Sequence, residues 1–469
     1  MRVSFFDKRL IHGANGEGGR EAEHPLRRRI AVLTLSNITL QVLGFLYRMM
    51  LARLAGSEAL GLQSLVMQVY AIMVSVCISG MNVAVITSVS GFPPREREAG
   101  VRRIARGAFL LFLLLFLAMA LPLFVLRGSI ARRLIGDPAA GVSIVLVLGC
   151  ILLTGAENIL KSIHIASGRI PRTAISELLE QSVRFLLVFL LLKSSRSAED
   201  HTSVALITAG MLGSEFVSVS FLSVSYKKLF TGGSVPKPRR KDVSAGVSAL
   251  VRVLVPAALT SISGTVFASA SALLLPGRLA LAGYTRQQAL AAIGALNAVA
   301  MPIVMLPMTF VGAVSVAIMP EITGADSKGD FGRAALLVKR SIISAAAAVL
   351  FINLPALPFL GRAAGALFGL VPTRESFRLL TLFAGIIYLQ IVTTSILNGL
   401  MKQRTVLGLA IFGESLQLVL ILLLAARPGL HIYGYLIAKC IGEGLRLLIA
   451  SVYLRRLLKS GFRFKPKVN

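Results

Sequence analysis

The sequence predicts an all-α integral membrane protein of about twelve transmembrane helices, built as two parallel six-helix lobes around a central cavity. Three observations predict it. Hydrophobic residues make up 55% of the chain and charged residues 15%, with a mean hydropathy of +0.78, too apolar for a chain surrounded by water. Apolar runs recur at close to the roughly 20 residues that a 30 Å hydrocarbon core requires. A segment of the first half, Gly61–Gly91, is echoed without a gap by Gly294–Gly324 in the second.

Taken in order, the expected helices of the first lobe span about 29–52, 62–88, 104–126, 141–163, 174–194 and 203–226. Those of the second span about 248–274, 288–318, 338–359, 377–400, 404–425 and 432–457. The domains follow: a flexible tail over 1–28, a lobe over 29–226, a basic linker over 227–247, a lobe over 248–457 and a basic tail over 458–469. The tail contains Gly13, Gly16, Gly18 and Gly19 among mixed charges, and no charged-then-apolar signal segment is expected there.

Lys and Arg leave a net charge of +29. In an apolar chain this reads as the positive-inside bias rather than as a nucleic-acid footprint, so no nucleic-acid partner is expected. With a cytoplasmic N-terminus, 33 of the 50 Lys and Arg fall on the inner side, in the tails, loops and flanking helix ends. Twelve fall on the outer side and five inside helices. Both termini are therefore expected in the cytoplasm, in a multi-pass protein of the cytoplasmic membrane whose basic ends contact anionic lipids. Cys77, Cys150 and Cys440 lie in apolar segments, without metal spacing and without a disulfide pattern.

The two repeat segments both open the second helix of their half and run in the same sense. "NVAVITSVSG" overlies "SVAIMPEITG". A same-sense repeat implies two halves related by an axis along the membrane normal, with the substrate site between them.

Polar residues inside the helices mark that site. Asn37, Gln41, Gly44 and Arg48 fall on one stripe of the first helix, and Gln68, Ser75, Ser79 and Asn82 on one stripe of the second. Each polar group facing lipid costs several kcal/mol, so both stripes are expected to face a wet cavity. For Arg48 the competing reading is snorkelling to the interface, and Arg53 reads as an interfacial anchor. In the fifth helix, Glu177, Glu180, Gln181 and Arg184 serve either an intrahelical ion pair or the substrate. In the twelfth, Lys439, Glu443 and Arg446 recur at i, i+4 and i+7. Glu157, Glu215, Glu414 and Gln417 also sit within helices; carboxylates there are either H⁺ or Na⁺ sites or satisfied structural contacts. The expected cavity residues are thus Asn37, Gln41, Arg48, Gln68, Asn82, Arg184, Lys439 and Arg446. The expected ion-coupling residues are Glu215, Glu414 and Glu443. Pro256, Pro302, Pro307 and Pro320 are either hinges or static kinks.

Walker A, G-x-S-x-G, H-E-x-x-H and paired-Asp patterns are absent, and the five His are scattered. No enzyme, cofactor or bound metal is expected.

Longer stretches carry a resemblance. "LTLSNITLQVLGFLYRMMLARLAGSEALGLQSLVMQVYAIMVSVCISGMNVAV", "TAISELLEQSVRFLLVFLLL" and "LLLPGRLALAGYTRQQALAAIGALNAVAMPIVMLPMTFVGAVSVAIMPEITGADSKGD" resemble the stage V sporulation protein B-like branch of the MOP exporter superfamily. The match runs over most of the chain from about Arg29. The resemblance implies the lobed fold of multidrug and polysaccharide exporters and of the related lipid II flippases. It implies a lipid-linked saccharide with a pyrophosphate head as substrate, destined for cell wall, peptidoglycan or spore cortex. It places Arg48 near an arginine that lines the flippase cavity. Gln41 stands where relatives often carry a second arginine, and many relatives have fourteen helices rather than twelve. The alternatives are a cation-coupled exporter of small cationic drugs on the same fold, and a non-transporting scaffold of a cell-wall assembly complex.

Overall fold

The structure is a computed structural model of the 469-residue chain. It describes residues 19–90, 97–167, 169–195, 200–227, 240–305, 330–348, 374–400 and 402–459, with isolated positions between 305 and 374. The described residues are helices and short turns.

The first helical run, Gly19–Cys77, is two helices meeting at Gly56, whose φ of 80° only glycine adopts without strain. We number them α1 (19–55) and α2 (57–90). α2 breaks at Ile78 and resumes as Ser79–Ser90. The first lobe continues with α3 (Arg97–Ile130), α4 (Ala140–Ala166), α5 (Ile170–Ser194) and α6 (Asp200–Lys227). α3 closes in a π-turn, Ala131–Ile135, that ends on left-handed Gly136. The second lobe holds α7 (Arg240–Leu281), α8 (286–304), α9 (Phe331–Ala348), α10 (Arg374–Gly399), α11 (Gln403–Leu424) and α12 (His431–Lys459).

These bounds differ from the expected ones mainly at helix ends. α1 begins at Gly19 rather than 29, α3 reaches back to Arg97, and α7 runs from Arg240. Charged turns extend these helices past their apolar spans, because a helix satisfies its own backbone wherever water or lipid surrounds it. The expected stretches 305–318 and 349–359 fall largely outside the described residues, as do Pro307, Pro320 and most of the second repeat.

α8 shows how its sequence bends it. Thr285 caps Arg286–Gly294 with a reciprocal capping box to Gln288. The helix then widens into a π-turn over Ala295–Ala300, immediately before Pro302. Proline has no N–H and crowds the preceding turn, and a widened turn relieves that crowding. Tyr388 of α10 donates to the Val304 carbonyl at 2.9 Å, occupying an acceptor at this irregular end.

The lobes meet where α1 ends and α2 and α8 begin. A Cβ on Gly61 would fall 2.0 Å from the Leu290 carbonyl oxygen, and one on Gly294 would fall 2.0 Å from the Ser57 oxygen. Gly61 and Gly294 are the opening residues of the two repeats, and Ser57 and Leu290 stand at the same 233-residue offset. The repeat's axis therefore passes between these two glycines, with backbone against backbone. Arg286 and Asp137 add an interlobe ion pair of 3.2 Å at the same end. Leu51, Leu60, Leu279 and Ile293 join one apolar core beneath it.

Candidate functional site

From this closed end α1 leads away along an open cavity of about 220 Å³, lined by Leu40, Gln41, Gly44, Phe45, Arg48 and Pro302. Three of the four residues of the expected α1 stripe line it together. The side chain of the fourth, Asn37, lies outside the described residues. Gln41 and Arg48 are exposed within a segment long and apolar enough to cross a membrane. Among the described residues Arg48 has no hydrogen-bond or ion-pair partner, and no cavity-lining residue is acidic. Arg53 lies near the end of α1, exposed beside Phe189, Lys193 and Ser203, where an interfacial anchor is expected.

The α2 stripe divides. Ser269 of α7 donates to Gln68 Oε1 at 3.1 Å, and Ser75 donates to Ser261 of α7 at 3.4 Å, so these residues stitch the two lobes together instead of facing an open cavity. Asn82 turns into the first lobe. It donates to Asn158 Oδ1 at 3.2 Å and accepts from Ser162 at 3.3 Å, both on α4. The expectation that Asn82 lines the cavity assumed one unbroken helix. The helix is interrupted at Ile78, and beyond it Asn82 bonds α4 while Gln68 and Ser75 bond α7.

A cluster of charges lies between α4, α5 and α6. Oxygens of Glu157, Glu180 and Glu215 all lie within 4.8 Å of one another, and all three residues are buried. Arg184 pairs with Glu180 and lies 3.5 Å from Glu215, while its Nε donates to Ser214 at 3.2 Å. Lys161 contacts Glu157 at 2.9 Å, Glu180 at 3.5 Å and the more exposed Glu177 at 3.6 Å. Ser218 donates to Glu157. Arg184 thus faces this cluster and not the open cavity, and its intrahelical pair with Glu180 is one edge of a wider network. Among the described residues three buried carboxylates face two cations, and Glu215 Oε2 is buried with no hydrogen-bond donor. An uncompensated buried carboxylate is expensive, so the cluster has room for one more positive charge, a proton or a monovalent cation. Tyr47 of α1 and Tyr70 of α2 lie within electrostatic reach of Arg184.

Lys161 and the two serines were not expected here. Glu157 and Lys161 are spaced i,i+4, as are Glu180 and Arg184, and that spacing was the available signal. The serines carried none, since serine is common on any membrane helix face.

The second lobe holds a smaller group. Lys439 lies 5.3 Å from the Phe383 ring centroid and 5.2 Å from that of Tyr435, a cation–π arrangement. Glu443 pairs with Arg446 at 3.4 Å, and Arg446 packs over Gly413. Glu414 lies within electrostatic reach of Lys439, Glu443 and Arg446. Lys439 and Arg446 sit among α10, α11 and α12 and are not among the described residues that line the cavity with Arg48. Among the described residues two carboxylates balance two cations there.

A family described as "Polysaccharide biosynthesis protein" matches residues 26–325. No curated protein sequence matches the chain significantly. Solved structures share the fold at low identity. An inward-facing multidrug resistance MATE transporter of the MOP superfamily superposes with a TM-score of 0.75 at 15% identity, covering 93% of this chain and 99% of that one. A MOP superfamily transporter from Pyrococcus furiosus, described as having a binding pocket of reverse polarity, gives 0.58 at 16% identity over 93% and 94%. An outward-facing MATE transporter of the same superfamily gives 0.54 at 16% over 92% and 97%. The fold is that of these transporters, with two six-helix lobes around a central cavity.

Proposed function

Because the chain belongs to the polysaccharide biosynthesis protein family, we propose that it moves a lipid-linked saccharide with a phosphate-bearing head across the cytoplasmic membrane by alternating access. The observation that carries this reading is Arg48, an exposed arginine of a membrane-crossing helix, in a cavity wall whose described residues include no carboxylate. A guanidinium offers phosphate oxygens two parallel donors, and Gln41 adds an amide about two turns away on the same face. A cavity suited to small cationic drugs would place its carboxylates in that wall. Here the buried acids of the first lobe lie between α4, α5 and α6. The resemblance of long stretches to stage V sporulation protein B-like exporters supports a cell-wall or spore-cortex precursor.

The test is a reconstituted flipping assay with a defined lipid-linked saccharide, run beside a cationic dye. Arg48→Ala should lower flipping at least tenfold at normal membrane abundance, and Arg48→Lys should keep partial activity, since charge remains and the fork is lost. Full flipping by Arg48→Ala would remove this residue from the site.

The acid cluster supplies the coupling step in this reading: one cation or proton fills the place beside Glu215 in one state of the cycle and leaves in the other. Glu215→Gln removes the excess carboxylate and should leave a folded protein whose flipping no longer responds to a H⁺ or Na⁺ gradient. An unchanged gradient dependence would rule the cluster out as the coupling site.

A further inference from the structure

A second cavity, of about 420 Å³, lies between α3 and α6. It is lined by Arg102, Ala105, Arg106 and Phe109 of α3 and by Tyr226 and Lys227 of α6. α4 packs against both helices beneath it, and there His164 of α4 is bonded to Ser225 of α6 at 3.1 Å. Glu98 contacts Arg102 at 3.4 Å and offsets one of the three cations. Arg106 and Lys227 are exposed and carry no ion-pair partner among the described residues. Arg102 and Arg106 both lie within electrostatic reach of the Tyr226 hydroxyl.

What distinguishes this cavity from an ordinary basic helix end is what adjoins it. Arg102, Arg106 and Phe109 share a face of α3 with Leu113 and Leu117, and both leucines are exposed. Lys227 shares a face of α6 with Val224 and Val217, also exposed. The two apolar faces lead out of the charged pocket along the lipid-facing side of the first lobe. Cations with a phenol at one end and bare apolar helix faces beyond match the two halves of one molecule: an anionic head and its acyl chains.

We propose that this α3–α6 cavity is a binding site for the phosphate head of an anionic phospholipid, with the acyl chains laid along α3 and α6. The site is separate from the transport cavity and independent of which saccharide is carried. It seats the first lobe against the leaflet on the side of the helix ends at Arg102 and Lys227. The contacts expected are phosphate oxygens with Arg106, Lys227 and the Tyr226 hydroxyl.

Native mass spectrometry of the full-length protein in mild detergent tests this, with phosphatidylglycerol and phosphatidylcholine as probes and glycerol 3-phosphate as the head without chains. Phosphatidylglycerol should bind at least tenfold tighter than phosphatidylcholine and resist displacement by glycerol 3-phosphate. Arg106→Gln with Lys227→Gln should weaken it about 30-fold, at roughly fivefold per cation. Arg132→Gln with Arg133→Gln, exposed at the other end of α3, should change it less than twofold. Equal retention of the two lipids, undiminished binding by the Arg106/Lys227 double variant, or displacement by glycerol 3-phosphate would each overturn the proposal. Should the double variant not fold, Arg106→Gln alone decides. Added phosphatidylglycerol should raise the unfolding temperature of the wild type by several degrees and that of Arg106→Gln by less than half as much, and equal shifts would overturn the site.

Discussion

Arg184 stands between two carboxylates and a serine, with Lys161 serving the far side of the same network. Removing one partner from a buried ion network leaves a charge that water cannot reach, a loss of about 3–5 kcal/mol. Arg184→Gln should therefore unfold at a markedly lower temperature in detergent. Adding Glu180→Gln removes the carboxylate that loses most and leaves Glu157 and Glu215 with Lys161, the same excess of one negative charge as in the intact cluster. The double variant should recover much of the lost stability. A double variant as unstable as Arg184→Gln alone would show that the two residues are not partners. The network also explains why "SELLEQSVRF" by itself reads equally as an intrahelical ion pair or as a substrate contact. Spacing along one helix reveals i,i+4 neighbours, whereas Lys161 and Glu215 come from helices that only tertiary packing brings near.

At the scale of the element, close helix approach is set by single small residues. A Cβ on Gly155 of α4 would fall 2.0 Å from the Phe112 ring of α3, itself packed 5.9 Å from Phe116. Gly155→Ala overpacks this seam at a cost of about 1–3 kcal/mol. Phe112→Leu, which withdraws the ring edge, should restore part of it. Thermal unfolding of the single and double variants checks this, and additive losses would contradict the contact. The α2 stripe is the instructive counter-case. Its polar residues are regularly spaced, yet Gln68 and Ser75 bond α7 while Asn82 bonds α4. Periodicity tells which residues of one helix share a face, and it does not tell which neighbouring helix each of them meets.

At the scale of the whole molecule, the two halves touch through Gly61 and Gly294, each against the other's preceding turn. Such a contact tolerates no side chain, so Gly294→Ala should push the lobes apart at this end. Cysteines at Asp137 and Arg286, which pair at 3.2 Å across the same end, report on it. A membrane-impermeant cross-linker added to intact cells should join them in the parent and much less in Gly294→Ala. Cross-linking that appears only in inverted vesicles would reverse the expected orientation, and equal cross-linking in both proteins would place the lobe contact elsewhere.

The sequence by itself determined that this chain is a helical membrane protein made of two same-sense halves, and that α1 presents Gln41 and Arg48 on one face. Those features rest on local physics. A hydrocarbon slab demands runs of about 20 apolar residues, every backbone group must be satisfied within its own helix, and residues three or four apart share a face. Tertiary structure alone decided which polar residues meet. It gathered Glu157, Lys161, Glu180, Arg184 and Glu215 from three helices into one cluster and left Glu215 Oε2 without a donor. It also turned Asn82 inward and opened the α3–α6 pocket on the lipid-facing side. The energy of a buried charge depends on its neighbours across helices, and those distances are set by packing, which no spacing along a single segment encodes.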